Sequence, residues 1–175
     1  MKNLLKMALV LMVCGTTQAL AQVKSPNGAL EMKVEQTGGQ VFLRLLGQRS
    51  QALSQGMGQD ALTTVRLGLT TSDDNWADGV TLLGVSKAKR HSETYTNIHG
   101  KARKVACRWN EAVATLQDGN GKPLKVELRV YDDGVAFRYV LDEAAERRFV
   151  DEQTAWTMPR GARRWLQQFV TSYEG

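Results

Sequence analysis

Two apolar-alternating runs joined by a short acidic turn constrain the fold of this chain more than any other feature. In the first run, over residues 124–130, apolar Leu and Val residues alternate with charged ones, and after Asp132-Asp133-Gly134 a second run continues over 135–141. A period of two places successive side chains on opposite faces of a strand. Gly134 can take the positive φ that such a turn often needs. The segment therefore predicts a β-hairpin with a buried face.

The same alternation recurs along the chain in short runs separated by Gly, Asn and Asp. Further strands are predicted over residues 30–35, 41–46, 64–69, 80–85, 104–108 and 112–116. Ser25-Pro26-Asn27-Gly28 predicts a turn, and Thr37-Gly38-Gly39-Gln40 predicts a hairpin loop. Residues 142–148 offer one or two helical turns at most. The predicted fold class is all-β, a sandwich of antiparallel strands that cover each other's apolar faces.

The first 21 residues predict an export signal. Lys2 and Lys6 form a basic start, residues 7–13 are apolar, and Ala19-Leu20-Ala21 offers a small-x-small cleavage site. The apolar run is much shorter than the roughly 20 residues that cross a bilayer. We therefore predict a signal peptide over 1–21, cleavage after Ala21, and a soluble periplasmic or secreted domain over 22–175 with no membrane span.

Charge and cysteine content limit the partners and the crosslinks of that mature chain. Removal of Lys2 and Lys6 would leave 21 basic residues against 18 acidic ones, a mild net charge of +3. Cys107 would be the single cysteine, so packing and not a disulfide must hold the fold. Basic residues cluster over 87–108 and again over 160–164, which suggests a nucleic-acid patch. Because no nucleic-acid motif accompanies them, solvated surface is the interpretation we adopt, with no nucleic-acid partner.

The common catalytic constellations are missing from the sequence. His91 and His99 have no zinc-site spacing with Cys107, and there is neither a nucleophile elbow nor a phosphate-binding loop. The acidic pairs Asp73-Asp74 and Asp132-Asp133 fall in predicted turns, where Asp bonds nearby backbone N–H groups. Both pairs are therefore interpreted as structural.

Single polar and aromatic residues carry the remaining expectations. Arg138 lies among apolar residues, so a carboxylate or several carbonyls should face it. Asn110-Glu111 is interpreted as structural hydrogen bonding. The four tryptophans could be sugar-stacking platforms. Of these, Trp109 and Trp156 are expected in the core instead, and Trp165 at a domain interface.

Several segments follow one another in a distinctive order. They are Val23–Leu30 with its Ser-Pro-Asn-Gly turn, Gly100-Lys101 leading to Trp109-Asn110-Glu111-Ala112 and Ala114-Thr115-Leu116, then Leu128–Tyr139 with Asp-Asp-Gly-Val-Ala-Phe-Arg-Tyr, and Trp165 with Tyr173-Glu174-Gly175. In this order they resemble the N-terminal region of glycoside hydrolase family 97, whose members are exported α-glucosidases and α-galactosidases. The resemblance covers essentially the whole mature chain.

The resemblance implies a β-super-sandwich of the galactose-mutarotase type, incomplete in this chain and normally followed by a (β/α)8 catalytic barrel. It implies α-linked oligosaccharides as the substrate of the complete enzyme. The general acid and the base or nucleophile of glycoside hydrolysis would belong to the barrel. We therefore expect no catalytic residue in this chain and no glycosidase activity from it alone.

The resemblance also implies a calcium ion in the active site of the complete enzyme. Several glutamates hold it, and one of them aligns with Glu174, nine residues after Trp165. Calcium takes about six to eight oxygen ligands, so Glu174 could supply only part of the site. Two other interpretations stay open: a stand-alone carbohydrate-binding β-sandwich, and a degraded gene product that would not unfold cooperatively.

Overall fold

The structure is a computed structural model that describes residues 18–47, 62–98, 103–141 and 146–158. These residues form twelve β-strands and no helix, as the alternating pattern predicts. The strands are β1 Gln18–Lys24, β2 Leu30–Thr37, β3 Gln40–Gly47, β4 Thr63–Arg66, β5 Leu69–Thr71, β6 Thr81–Val85, β7 Lys89–Thr96, β8 Lys104–Gln117, β9 Pro123–Tyr131, β10 Val135–Val140, β11 Phe149–Glu152 and β12 Ala155–Thr157. Within these residues no helix is long and apolar enough to cross a membrane.

Two antiparallel sheets face each other. The first has the order β1-β2-β3-β4-β12, and the second has the order β10-β9-β8-β6, with β7 also paired to β8. A short third pair joins β11 to β5. Strands β1 and β2 of the first sheet contact β6, β8 and β9 of the second. The predicted all-β sandwich is therefore confirmed.

The core lies between the sheets and follows from the period-two pattern. On β2, Met32 and Val34 are buried while Glu31, Lys33 and Glu35 are only partly covered. On β9 all four apolar residues of the first run, Leu124, Val126, Leu128 and Val130, are at most 1 % exposed. Burying such side chains contributes about 1.5–3 kcal/mol each.

The predicted turns form where Gly allows them. Thr37 and Gln40 pair at the end of the β2–β3 hairpin, and Gly38 and Gly39 between them have φ of 58° and 73°. Such a two-residue loop needs positive φ at both positions, which only Gly adopts at no cost. In the turn at residues 25–28 the Gly28 N–H donates to the Ser25 carbonyl at 3.0 Å.

The β9–β10 turn forms, but by a different conformation from the one suggested. Gly134 does not adopt a positive φ. The Tyr131 N–H donates to the Gly134 carbonyl at 2.8 Å, and the Asp132 carboxylate accepts from the Asn27 N–H at 2.8 Å. The turn is thus closed by one backbone hydrogen bond, and a second hydrogen bond joins it to the turn at residues 25–28.

Strand boundaries differ from the prediction at two places. The run 64–69 divides into β4 and β5 at Gly68, where an added Cβ would lie 3.0 Å from the Gln153 Cβ. The runs 104–108 and 112–116 are one strand, β8, because the residues between them pair with β7 on one side and β9 on the other. Of the suggested helical stretch, Glu146–Arg148 has no regular structure, and residues 142–145 lie outside the described residues.

The first strand bears on the predicted signal peptide. Because β1 begins at Gln18, the predicted cleavage after Ala21 lies within it. Residues 22–24 would stay paired with residues 31–33 in the mature chain. The signal peptide and its cleavage site stay predictions.

Candidate functional site

A row of three aromatic side chains crosses the outer face of the second sheet. The strand register places His91 on β7 opposite Trp109 on β8, and Trp109 opposite Tyr131 on β9. The His91 and Trp109 rings stack with centroids 5.4 Å apart, and the Trp109 and Tyr131 rings lie 5.6 Å apart. Trp109 therefore lies between the other two rings, and Tyr131 packs against it at one end of the row.

Two ion pairs continue this face beside the row. The Arg129 Nε donates to the Glu111 carboxylate at 2.7 Å, and the Arg138 Nε donates to the Glu127 carboxylate at 2.6 Å. The Arg129 guanidinium also lies 5.2 Å from the centre of the Trp109 ring. The carboxylate side chains of both pairs are 22 % exposed, against 37 % for Arg129 and 67 % for Arg138. The carboxylates thus lie low on the sheet and the guanidiniums form the rim.

Hydrogen bonding favours the ionised forms of Glu111 and Arg138. Partial burial of the Glu111 carboxyl would raise its pKa, but hydrogen bonds from Trp109 and Arg129 outweigh burial and lower it. The hydrogen bond to Glu127 raises the pKa of Arg138. A carboxyl whose pKa is lowered cannot hold a proton near neutral pH. Glu111 is therefore unsuited to act as a general acid, although it can accept hydrogen bonds.

Between these groups lies a small depression of about 130 Å³. Strand pairing places Ala136 opposite Arg129, and Arg138 opposite Glu127. Because Ala136 is small, it leaves space between its larger neighbours. The lining consists of Glu127, Arg129, Tyr131, Ala136, Phe137 and Arg138.

A larger, shallow groove of about 710 Å³ runs between β10 and the residues around β12. The Phe137 and Trp156 rings lie 5.9 Å apart across it. Beside them the Tyr139 hydroxyl accepts from the Gly68 N–H at 3.0 Å and bonds the Thr154 hydroxyl at 2.7 Å. Trp156 is 50 % exposed, and Phe149 and Val150 on β11 are also largely exposed. The sandwich thus has an open, aromatic side between two edge strands.

The structure places most of the predicted polar residues in structural roles. Arg138 has the expected carboxylate partner, yet its face is exposed and not buried. Asn110 donates to the Lys24 carbonyl at 2.7 Å. Asp74 is 6 % exposed and pairs with Arg147 at 3.5 Å.

The tryptophans divide differently from the prediction. Trp76 is in the core, 1 % exposed, and donates to the Lys122 carbonyl at 3.0 Å. Trp109 is buried, but by the stacked rings of the outer face and not between the sheets. Trp156 was expected in the core, and this was wrong: β12 is an edge strand, so the ring is half exposed.

The predicted metal ligand cannot be placed. Glu174, like Trp165 and His99, lies outside the described residues. In the part of the chain that the structure does describe, no three His, Cys, Asp or Glu side chains lie close enough together to hold a metal ion. The described residues therefore do not by themselves fit a calcium site.

The sequence signals of the outer face were available but not assembled. The period-two pattern already placed Lys125, Glu127 and Arg129 on one face of β9. What it could not provide was the register between strands, which brings Ala136 opposite Arg129 and Tyr131 opposite Trp109. An alternating charged strand next to a small residue on its partner is the signal that could have indicated a depression.

A family model described as "Glycosyl-hydrolase 97 N-terminal" matches residues 23–175. Over 149 residues the chain is 29 % identical to a protein of Streptomyces bingchenggensis (strain BCW-1) named "Probable retaining alpha-galactosidase", covering 85 % of this chain and 20 % of that protein. The chain thus spans about one fifth of the relative's length.

Solved structures share the fold. A crystal structure of a β-arabinopyranosidase matches 79 % of this chain and 21 % of its own length, with a TM-score of 0.66 and 24 % identity. A glycoside hydrolase family 97 enzyme from Pseudoalteromonas sp. strain K8, in complex with panose, matches 77 % of this chain and 20 % of its own, with a TM-score of 0.60 and 18 % identity.

Proposed function

Because the chain belongs to the glycosyl-hydrolase 97 N-terminal family, we propose that it forms the N-terminal β-sandwich of an exported, calcium-dependent α-glycosidase and supports that enzyme's active site. The observation that carries this proposal is the family match over residues 23–175. The shared two-sheet fold supports it. The relative from Streptomyces is named an α-galactosidase, so an α-linked galactoside or glucoside is the proposed substrate.

Glycoside hydrolysis needs two carboxyl groups, one that donates a proton and one that acts as base or nucleophile. On the outer face of the second sheet, Glu111 and Glu127 are each paired to an arginine. The lowered pKa of Glu111 makes it a poor proton donor. The catalytic carboxyls are therefore proposed to lie in a (β/α)8 domain, as in the family that the sequence resembles.

The chain is proposed to contribute to the complete enzyme in two ways, through the Glu174 carboxylate and through one packing surface. Glu174 would lend one oxygen ligand to a calcium ion whose other ligands come from the catalytic domain. Calcium, when bound, would supply positive charge at the active site. The groove beside Phe137 and Trp156 would pack against the remainder of the enzyme, since exposed aromatic surface of this kind is typical of interfaces.

A stand-alone carbohydrate-binding module is the second candidate, and the polar, aromatic outer face of the second sheet favours it. The two candidate functions differ in whether the chain needs a catalytic domain. A module binds sugar without a partner, whereas the N-terminal portion of an enzyme contributes to turnover only as part of the whole.

The first experiment is a turnover assay of the purified chain on an aryl α-glucoside and an aryl α-galactoside with calcium present. The proposal predicts release of the aryl group no faster than in a blank without protein. Turnover well above the blank would show that this chain holds its own catalytic groups, and the assignment of catalysis to another domain would be wrong.

A further inference from the structure

The depression over Ala136 lies on the exposed outer face of the second sheet, and it shares Ala136, Phe137 and Arg138 with the edge of the groove beside β12. Its floor is a small side chain on β10, and its walls come from the neighbouring strand β9 and from Arg138 on β10 itself. Ala136 itself is exposed. The space is therefore open to a ligand from solvent and does not depend on any movement of the core.

The chemistry of the lining selects a class of ligand. The lining holds two guanidiniums and one carboxylate, Glu127, which pairs with Arg138. Glu111 lies beside the lining and pairs with Arg129, so each guanidinium has a carboxylate partner. Arg129 bonds the side chains of Glu111 and Tyr131, and Arg138 bonds Glu127. A guanidinium has five N–H groups, so donors remain at the rim. The carboxylate oxygens add acceptors. A neutral ligand rich in hydroxyl groups can use both, whereas an anion would meet the carboxylates as well as the arginines.

The rigid Tyr131 ring and the small size of the depression narrow the class of ligand further. The Tyr131 ring is fixed by Trp109, which is itself stacked on His91. A fixed aromatic ring offers an apolar wall for the C–H groups of a sugar without a large loss of side-chain entropy. A volume of about 130 Å³ is below the roughly 300 Å³ of the smallest common ligand pockets. It admits part of one sugar ring and not a longer chain.

We infer that this depression, with Ala136 as its floor and Tyr131, Arg129 and Arg138 as its walls, binds a single neutral sugar unit on the outer face of the domain. The inference deepens the proposed function, on which it rests for the identity of the ligand as carbohydrate. Arg129 and Arg138 donate to sugar hydroxyls, Glu127 accepts from them, and the Tyr131 ring packs against the sugar ring.

The test is a titration of the purified full chain, followed by amide chemical shifts, with methyl α-glucoside and methyl α-galactoside as probes and sodium sulfate as an anion probe. We expect saturable shifts at residues 131, 136 and 138 with at least one glycoside, at a Kd of about 1 mM. Ala136→Leu should weaken that binding at least tenfold by filling the floor. Ala106→Leu, the same change at an exposed position on a different strand, β8, should leave it unchanged.

Three outcomes would overturn the site: no saturable shift with either glycoside, equal binding by Ala136→Leu, or saturable binding of sulfate alone. Thermal melting of both variants checks that the fold is retained. Failure of the site and failure of the proposed function are distinguishable. Turnover by the chain alone overturns the function and leaves the site standing, whereas absent glycoside binding overturns the site and leaves the function standing.

Discussion

At the scale of single residues, Tyr139 shows how one hydroxyl ties the two edges of the sandwich together. It lies on β10 in the second sheet and bonds Gly68 and Thr154, which flank strands β5 and β12. Loss of a part-buried hydrogen bond costs about 1 kcal/mol, and the unpaired N–H left behind adds to that cost. We predict that Tyr139→Phe lowers the free energy of unfolding by about 1–2 kcal/mol, as measured by urea denaturation.

The same residue gives a pH dependence with a defined sign. Burial is the largest influence and raises the pKa of the Tyr139 phenol above its ordinary value of 10.0. A raised folded-state pKa means that the stabilisation is present below pH 10 and is lost as the pH rises through the higher value. Tyr139→Phe should therefore flatten the fall in stability above about pH 10.

Tyr95→Phe is the matched control for the urea measurement, because Tyr95 is 44 % exposed on β7. It should leave the urea midpoint unchanged. If Tyr139→Phe has the same free energy of unfolding as the unsubstituted chain, both at neutral pH and above about pH 10, the hydroxyl bonds contribute nothing and this account of the edge is wrong.

At the scale of elements, the β2–β3 hairpin depends on the backbone of its loop. Gly39 has φ +73°, and a Cβ there would lie 3.3 Å from the Gly79 backbone. Alanine in this conformation is strained by about 1–2 kcal/mol. Gly39→Ala should therefore lower the free energy of unfolding by at least that amount.

Gly134→Ala is the comparison within the same fold. Gly134 has no positive φ and nothing within 4 Å of an added Cβ. Alanine there should be neutral or slightly stabilising, since it mainly reduces the freedom of the unfolded chain. Equal destabilisation by the two substitutions would contradict the assigned loop conformations.

The elements also show what the sequence could and could not predict. Strands β2 and β9 were predicted closely because each has an apolar face that alternates with polar residues. Strands β3 and β10 were predicted closely because each is a short, mainly apolar run that follows a turn. Strand β7 was missed because it is almost entirely exposed and polar on both faces. It forms because β8 extends beyond the core and offers it a full antiparallel register. Because this pairing depends on the sequence and length of the partner strand β8, the local sequence of β7 does not predict it.

At the scale of the whole molecule, the sequence predicted the architecture better than the site. The all-β sandwich follows from local alternation and was confirmed. The outer-face depression depends on register between three strands, which sets Ala136 beside Arg129 and Tyr131 beside Trp109. Trp156 was misplaced for a related reason: its flanking residues look like a core strand, but the strand lies at a sheet edge.

The molecule as a whole separates a packed interior from its exposed polar and aromatic surfaces. Its buried residues hold two sheets together, and its polar and aromatic residues lie on an outer face and along an open side. Among its described residues, the outer-face carboxylates Glu111 and Glu127 are each paired with an arginine. Function in the proposed enzyme would therefore depend on the chain being joined to a catalytic domain.

The most direct test of that dependence is a chimera in which this chain replaces the aligned N-terminal part of the Streptomyces relative. We predict that the chimera hydrolyses an aryl α-galactoside well above both this chain alone and the relative lacking its N-terminal part, and that Glu174→Gln in the chimera lowers the rate and its response to calcium. A chimera that melts cooperatively yet is no more active than the truncated relative would contradict the account.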